Sequence, residues 1–247
     1  MQGTIMMKYF LLPLILFLTP TAYGAVSVES LIDQVDQYRG YPESPFEVTL
    51  LVHSKRPNKP VQKYKLAVKV KGEKSIVKFL APARQKGRAI LKEGNNMWFH
   101  IPRTRRVIRI SPTQRLLGEA SNGDVASTNF KNDYTAELVG EETVEKTLSY
   151  KLHLKATSRK INYATIDLWI DKSTGKPVKS NHYAISGKLL KVAFYKAFQN
   201  TESGEKLHKL LLVNPLRKGQ YTWMIYNNYK QVNLPDQLFR KESLNRL

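Results

Sequence analysis

The histidines are the side chains best suited to acid–base or metal chemistry, and they are scattered. None of the five stands at a metal-ligand spacing from another, and the chain has no cysteine that could complete a site. We therefore expect each histidine to be an ordinary residue on a strand face, and we expect no metal ion and no cofactor. The five are His53, His100, His153, His182 and His208.

The acidic residues give no stronger signal for catalysis. Glu141–Glu142 and the acids in "NGD" and "LPD" lie in turn-like contexts, where such residues serve the backbone. No GxSxG elbow, phosphate-binding loop or dinucleotide fingerprint occurs. The sequence thus predicts a protein that is not an enzyme. The least favoured alternative is an envelope hydrolase on a β scaffold, which two neighbouring acids inside the cavity, or an acid beside His153 or His182 there, would support.

Burial of apolar surface is the chemistry that the composition favours. The chain contains thirteen Tyr, nine Phe and three Trp. An acyl chain gains about 0.8 kcal/mol for each CH₂ group that it buries. A long acyl chain in a dry cavity would therefore be held, and it could still be released to another apolar site.

The N-terminus indicates export. Lys8 precedes the apolar run Tyr9–Leu18, and the small residues Ala22 and Gly24 follow it. This order is typical of a secretory signal peptide, and the run is too short to span a membrane as a helix. We predict a signal peptide over residues 1–24, cleaved near Gly24, and one domain over residues 25–247. The predicted location is the periplasm.

The charge balance predicts an anionic partner. The chain has 40 Lys and Arg against 20 Asp and Glu, a formal net charge of +20. Such a balance suggests a nucleic acid or an anionic membrane surface. Export argues against nucleic acid, so an anionic membrane surface or an acidic protein partner is favoured.

Hydrophobic periodicity predicts one helix followed by many strands. The helical spacing comprises Val28, Leu31, Ile32, Val35 and Tyr38, and Gly40 and Pro42 end it. From Phe46 the period is two, as in "KYKLAVKVK", which is typical of half-buried antiparallel strands. We predict about a dozen strands and short helical turns near Thr113–Ala120 and Asp236–Glu242. Such a sheet either closes on itself or leaves an apolar concavity for a ligand.

The segment "KEGNNMWFHIPRTRRVIRIS", Lys92 to Ser111, reads as a two-faced hairpin. If "RTRR" forms its tip, Ile101 faces Arg106 and Phe99 faces Ile108. Trp98 then stands beside Arg109, in range of a cation–π contact. A slip of one residue would exchange the two faces, so the register is a direct test.

Several motifs together resemble a known family. From Pro82 to Tyr134 they are Lys86-Gly87, Ala89 and Leu91 in one strand, Gly94-Asn95, Met97-Trp98, Pro102, Arg105-Arg106, and Ile108 and Ile110 before Ser111. "ELVGEETV" and "LWIDKSTGKPVKSNHYAISGKLLK" continue the similarity. The chain resembles the LolA-like outer-membrane lipoprotein-sorting proteins over most of its length after the signal.

This resemblance implies a mainly β fold with few helices. The expected architecture is an incomplete antiparallel β half-barrel, wrapped on the N-terminal and short helices and enclosing an apolar cavity. Proteins of this shape carry lipid-modified proteins or lipids across the periplasm. Others sense lipoproteins in envelope-stress signalling or serve exporters of the RND type.

We predict a periplasmic carrier that binds the acyl chains of lipoproteins or lipids and delivers them toward the outer membrane. An inner-membrane exporter or an outer-membrane acceptor would be its partner. The alternative is an accessory or sensory module for an RND-type exporter or an envelope-stress system.

The candidate acyl-cavity residues are Phe46, Val48, Leu50, Tyr64, Leu66, Val68, Met97, Phe99, Ile101, Ile108 and Ile110. For any single one of these residues, packing in the hydrophobic core is at least as expected as contact with an acyl chain. The candidate contacts to a partner or head group are Arg103, Arg105, Arg106, Lys63 and Lys65. For the lysines, a solvated strand face is the more ordinary interpretation.

Overall fold

The structure of the protein is a computed structural model, described here over residues 27–40, 44–126 and 129–246. The predicted signal peptide, residues 1–24, lies outside the described residues. The helices are α1 (Val28–Tyr38), α2 (Asn122–Val125) and α3 (Phe130–Asp133), with 3-10 turns at Ala83–Gln85, Pro102–Thr104, Asp236–Phe239 and Lys241–Arg246. None of these described helices has the length and apolar character needed to cross a membrane.

The described residues form fifteen strands. The first eight are β1 (Phe46–Lys55), β2 (Gln62–Lys71), β3 (Lys74–Ala81), β4 (Ala89–Glu93), β5 (Asn96–Ile101), β6 (Arg106–Arg109), β7 (Arg115–Leu117) and β8 (Ala120–Ser121). The other seven are β9 (Tyr134–Val144), β10 (Thr147–Ala156), β11 (Thr165–Asp171), β12 (Pro177–Tyr183), β13 (Leu189–Thr201), β14 (Gly204–Val213) and β15 (Tyr221–Gln231).

Thirteen of these strands form one open antiparallel sheet. Their order is β6-β5-β4-β3-β2-β1-β15-β14-β13-β12-β11-β10-β9. The sheet is thus two meanders that meet where β1 pairs with β15. The edge strands β6 and β9 do not pair with each other within the described chain, so the sheet is not closed into a barrel. The predicted mainly β half-barrel with few helices is confirmed, whereas the single domain over residues 25–247 stays a prediction.

Helix α1 has the bounds that the spacing predicts. Ser27 caps its N-terminus by accepting a hydrogen bond from the Ser30 backbone N–H. Its buried face comprises Leu31, Ile32 and Val35. These side chains cover the inner face of β10 and β11, where they form one cluster with residues such as Leu152, Leu154, Ile166 and Leu168.

A second segment, Ile110–Ala126, covers the other half of the inner face, and we call it the strap. It contains the β7–β8 hairpin and α2. Its side chains Leu117, Ala120, Val125 and Ala126 join the buried cluster formed on β1, β2 and β3, which we call the strap core. The predicted helical turn near Thr113–Ala120 is therefore wrong, because most of this stretch forms a tight β hairpin.

The strap sits close to the sheet at Gly118. This residue has φ +61°, and a Cβ there would lie 2.1 Å from Ser54 Oγ and 2.4 Å from Thr222 Oγ1. The next residue, Glu119, donates its backbone N–H to Thr222 Oγ1 at 2.8 Å. Farther along, Ser75 Oγ donates to the Ala126 carbonyl at 2.7 Å. Hydrogen bonds thus fix the strap at the turn of its hairpin and at the C-terminal end of α2.

The C-terminal 3-10 turns cover part of the outer face, where the sequence predicts helical turns near Asp236–Glu242. Leu234, Phe239 and Leu244 are buried there against Ile76 and Leu91. Lys71 Nζ donates to the Leu234 carbonyl at 3.0 Å and pairs with Asp236 at 3.1 Å. Because the strap covers one face of β3 and β4 and the C-terminal turns cover the other, consecutive residues of both strands are buried.

The β5–β6 hairpin has the predicted register. Phe99 pairs with Ile108, Trp98 with Arg109 and Ile101 with Arg106. The predicted cation–π contact is wrong, however. The guanidinium of Arg109 donates to Asn96 Oδ1 at 2.6 Å, and it stacks on no ring among the described residues.

Candidate functional site

The predicted acyl-cavity residues lie together on the inner face, mostly inside the strap core. Phe46, Val48, Leu50, Tyr64, Leu66, Val68 and Met97 are buried in that cluster. Phe99 and Ile110 pack against it half-buried, Ile101 is half-buried, and Ile108 is 45 % exposed. In this structure the buried members contact the strap and one another. That they contact an acyl chain stays a prediction.

The predicted partner contacts are exposed but divided between two places. Arg103, Arg105 and Arg106 lie at the tip of the β5–β6 hairpin, at one edge of the sheet. Lys63 and Lys65 lie on β2, which β3 and β4 separate from β5. The fold does not bring these five residues into one patch, and their role stays a prediction.

A different region has the geometry of a binding site. The turns that join β10 to β11, β12 to β13 and β14 to β15 fall at the same end of the sheet, because alternate turns of an antiparallel meander share an edge. We call this region the turn end. The start of the strap reaches it, and two adjoining clefts open there.

The first of these, the apolar cleft, has a volume of about 690 Å³. Its apolar lining comprises Ala156, Ile161, Ala164, Ala184, Ile185 and Leu190. Lys155 and Arg159 also line it. Ile185 is 79 % exposed and Leu190 is 36 % exposed. Large apolar side chains that are exposed together beside a cleft are typical of a binding surface.

The second, the basic pocket, has a volume of about 230 Å³ and shares Thr113 and Leu190 with the apolar cleft. Its charged lining comprises Arg115, Lys188, Lys191 and Arg217, with Glu119 as an acid. Glu119 is paired with Arg115 at 3.1 Å. Among the described residues, Lys188 and Arg217 form no ion pair. The pocket therefore presents excess positive charge to any ligand that enters it.

The floor of the basic pocket is a buried ion pair. Lys191, on β13, is 5 % exposed; its Nζ contacts Asp124 Oδ2 and donates to Tyr163 Oη at 2.6 Å. The Tyr163 hydroxyl also lies 2.8 Å from Asp124 Oδ1 and donates to it. Asp124 is the third residue of α2, where Ser121 and Asp124 form a capping box.

Burial and charge set the protonation of this floor. Burial acts to raise the pKa of Asp124, but the Lys191 ammonium outweighs it and holds that pKa below its usual value. Burial, aided by the Asp124 charge, raises the pKa of Tyr163 well above its usual value. Asp124 is therefore a carboxylate and Tyr163 a neutral phenol near pH 7. The arrangement holds the Lys191 ammonium in one fixed position.

Two histidine pairs bear on the hydrolase alternative. Ser180 Oγ lies 2.8 Å from His182 Nε2, but Ser180 is fully buried, and burial lowers the pKa of His182 to about 3. His153 Nδ1 lies 2.8 Å from Asp167 Oδ1. Neither pair lines the apolar cleft or the basic pocket. The two pairs therefore do not give either cleft a catalytic group.

Metal ligation finds no support within residues 27–40, 44–126 and 129–246. No three side chains of His, Asp or Glu come together there in a way that could hold an ion.

Comparison with known proteins identifies the family. A family model described only as "Uncharacterized protein" matches residues 71–246, and no curated protein matches the sequence. The crystal structure of a LolA superfamily protein from Nitrosomonas europaea is 32 % identical, with a TM-score of 0.82. The match covers 89 % of this chain and 100 % of that one. The chain belongs to the LolA superfamily.

Two more distant structures share the LolA fold. One is a putative outer membrane lipoprotein-sorting protein domain from Vibrio parahaemolyticus, 20 % identical, with a TM-score of 0.75 over 88 % of this chain and 98 % of that one. The other is a DUF1329 family protein from Desulfovibrio piger, 21 % identical, with the same TM-score over 87 % of this chain and 97 % of that one. At these identities the likeness shows the fold alone.

The sequence contained one signal for this site that the interpretation missed. In "LLKVAFY", Lys191 falls at an inward position of β13, in alternation with Ala193 and Tyr195. A lysine on the core face of a strand requires a buried counter-charge. The partner, Asp124, is 67 residues away in the sequence, and only the folded strap brings it to β13.

Proposed function

We propose that the protein is a non-catalytic carrier that binds the acyl chain of a lipid or a lipid-modified protein. The observation that carries this proposal is the apolar cleft at the turn end, with Ile185 and Leu190 exposed beside it. Membership of the LolA superfamily supports the same class of function.

The energetics suit a carrier better than a permanent store. Ten methylene groups that leave water would contribute about 8 kcal/mol, and the costs of association cancel part of this gain. The remaining affinity holds a chain and still permits its transfer to another apolar site. The apolar cleft is open to solvent on one side through the exposed Ile185, so a chain can enter and leave without unfolding of the sheet.

The proposed setting is the periplasm, after cleavage of the signal peptide over residues 1–24. There the carrier would take its cargo from an inner-membrane exporter and deliver it toward an outer-membrane acceptor. The relative from Vibrio parahaemolyticus is described as a putative lipoprotein-sorting domain, and we extend that role to this chain as a proposal. An anionic membrane surface fits the net charge of +20.

The strap core is a second position that a chain could reach. Its predicted contacts, such as Leu50 and Leu66, are sealed by Leu117 and Val125 of the strap. They would join the site only if the strap lifts from the sheet. A photoreactive acyl probe distinguishes the two positions, because crosslinks would map to Ile185 or Leu190 for the apolar cleft and to β1 or β2 for the strap core.

The main test is lipid analysis of the purified protein by mass spectrometry, together with titration of a fluorescent acyl probe. The variant I185S/L190S should weaken probe binding about tenfold or more, because it removes apolar contact from the cleft. The matched control is V139S/L148S, since these side chains are also exposed, at 57 % and 52 %, but lie on β9 and β10 outside the cleft.

The carrier proposal is refuted if the wild-type protein carries no lipid and binds no acyl probe. It is equally refuted if V139S/L148S weakens the probe as much as I185S/L190S does, because binding would then be non-specific adsorption.

An accessory or sensory module is the second candidate. The observation that favours it is the exposed cluster Arg103, Arg105 and Arg106 at the hairpin tip. Affinity capture from an envelope extract would then recover one membrane protein rather than a set of lipids. Neutralising the cluster with R103Q/R105Q/R106Q should abolish that capture, and K63Q/K65Q is the matched test of the separate lysines on β2.

A further inference from the structure

The apolar cleft and the basic pocket adjoin each other, and their linings differ. Thr113 and Leu190 line both. A ligand that spans the two clefts therefore places an apolar part between the β10–β11 and β12–β13 turns. Its other end enters the pocket between the strap and the β14–β15 turn. This inference rests on the proposed carrier function and names the class of its cargo.

The charge count favours an anion in the basic pocket. Its four cations are Arg115, Lys188, Lys191 and Arg217, and its acids are Glu119 in the lining and Asp124 behind Lys191. Four positive charges against two negative ones leave an excess of two. Because Glu119 pairs with Arg115 and Asp124 with Lys191, the excess resides on Lys188 and Arg217.

The donors of the basic pocket suit a phosphate group. An ammonium has three N–H donors, and the described contacts of Lys191 use two, toward Asp124 and Tyr163. The third is left for a ligand at a position that the buried ion pair fixes. Arg217 adds a planar guanidinium of the kind that binds phosphate with two hydrogen bonds.

The size of the basic pocket limits the group that it can hold. Its volume of about 230 Å³ is a third of the 690 Å³ of the apolar cleft. A phosphate with a small substituent suits the smaller basic pocket, and one or more acyl segments suit the larger apolar cleft.

We propose that the basic pocket binds the phosphate of an acylated ligand whose chain lies in the apolar cleft. The cargo class is therefore a phospholipid. The acylated N-terminus of a lipoprotein carries its chains on a glyceryl thioether and an amide, without phosphate, so it would leave Lys188 and Arg217 without a counter-charge.

Three probes separate the sources of binding energy. Calorimetry measures the binding of each, with the two lipids kept below the concentration at which they aggregate. Oleoyl lysophosphatidic acid has the chain and the phosphate, monoolein has the same chain without phosphate, and inorganic phosphate has the anion alone. We expect lysophosphatidic acid to bind about tenfold or more tightly than monoolein, because charged hydrogen bonds are added. We expect inorganic phosphate to bind much more weakly than either lipid.

The decisive variant is K188Q/R217Q, which removes the two unpaired cations while leaving the buried pair intact. It should reduce lysophosphatidic acid binding to within about twofold of the monoolein binding of the same variant. The matched control is K155Q/R159Q, which removes two cations from the lining of the apolar cleft outside the basic pocket. It should retain the preference for the phosphate.

Three results would overturn the assignment of the basic pocket. The wild-type protein could bind both lipids equally, K155Q/R159Q could remove the preference instead of K188Q/R217Q, or inorganic phosphate could bind as tightly as the phospholipid. In the first two cases the carrier proposal stands. If neither lipid binds, the carrier proposal itself fails, so the two failures are distinguishable.

Discussion

The strap core and the turn end are built on the same sheet, and they differ in what covers them. Over the strap core, Leu117, Ala120 and Val125 complete a buried apolar cluster. At the turn end, the strap instead supplies Thr113, Arg115 and Asp124, and the hairpin turns leave Ile185 and Leu216 exposed. The difference shows that alternation along a strand determines which side chains face inward. The covering segment then determines whether they become core or binding site.

The two regions also differ in the kind of polar group that they bury. At the strap core, the hydroxyl groups of Ser54, Ser75 and Thr222 lie against the strap. The turn end buries a whole ion pair, whose desolvation is expensive. Such a pair contributes little net stability, so a positioning role for Lys191 is the better explanation of its presence.

The largest effect should come from breaking the buried pair. Replacing Lys191 with Met leaves Asp124 as an uncompensated buried charge, and we expect the free energy of unfolding to fall by about 3–5 kcal/mol. Urea denaturation measures this loss. The double variant D124N/K191M should lose less than the sum of the two single losses. The surface pair Lys196–Glu145 is the control, where K196M should cost about 1 kcal/mol or less.

Additive losses for D124N and K191M would contradict this interpretation, because they would show that the two groups do not depend on each other.

A matched pair of leucines tests the contrast between the regions directly. Leu50→Ala removes a fully buried side chain from the strap core, and we expect a loss of about 2–5 kcal/mol. Leu216→Ala removes a side chain that is 64 % exposed at the basic pocket, and we expect a change of about 0.5 kcal/mol or less. Thermal and urea unfolding of both variants measure the difference. Equal losses would mean that the turn end is packed as tightly as the strap core.

The seating of the strap can be tested at one glycine. Gly118→Ala places a methyl group against Ser54 and Thr222 at a positive φ, and we expect a loss of about 2–4 kcal/mol. Gly204→Ala is the control, because Gly204 has φ +89° but no atom within 4 Å of the added Cβ. Its cost should be only the backbone strain of about 1–2 kcal/mol. If both variants lose the same free energy of unfolding, the close contact between Gly118 and the sheet does not add to the cost of the substitution.

The pH dependence of the free energy of unfolding should contain a contribution from His182. Its pKa is about 3 in the folded protein, because burial lowers it from 6.5. Between these values the unfolded chain binds more protons, so His182 favours folding fully above pH 6.5, and this contribution is lost as the pH falls toward 3. The slope is at most about 1.4 kcal/mol per pH unit. Urea denaturation of H182N between pH 4 and 6.5 should show a flatter slope than the wild type.

A wild-type slope in H182N would show that another group titrates in this range.

Local patterns predicted the elements whose structure depends on neighbours in the sequence. Helix α1 matches its apolar spacing from Val28 to Tyr38, and the β5–β6 register follows from alternation about the "RTRR" tip. The strap was mispredicted because its conformation depends on contacts of Gly118 with β1 and β15. The site was missed for the same reason, since Asp124 and Lys191 meet only after the strap folds across the sheet.

The pairing of β1 with β15 has a consequence for the order of folding. Phe46 pairs with Gln231, so the centre of the sheet joins nearly the two ends of the described chain. Closing so long a loop is slow, and it cannot begin until the last strand is available. Each meander can form its hairpins early, but β1 and β14 remain open edges until β15 arrives between them. A chain truncated before Tyr221 would keep both edges exposed to aggregation.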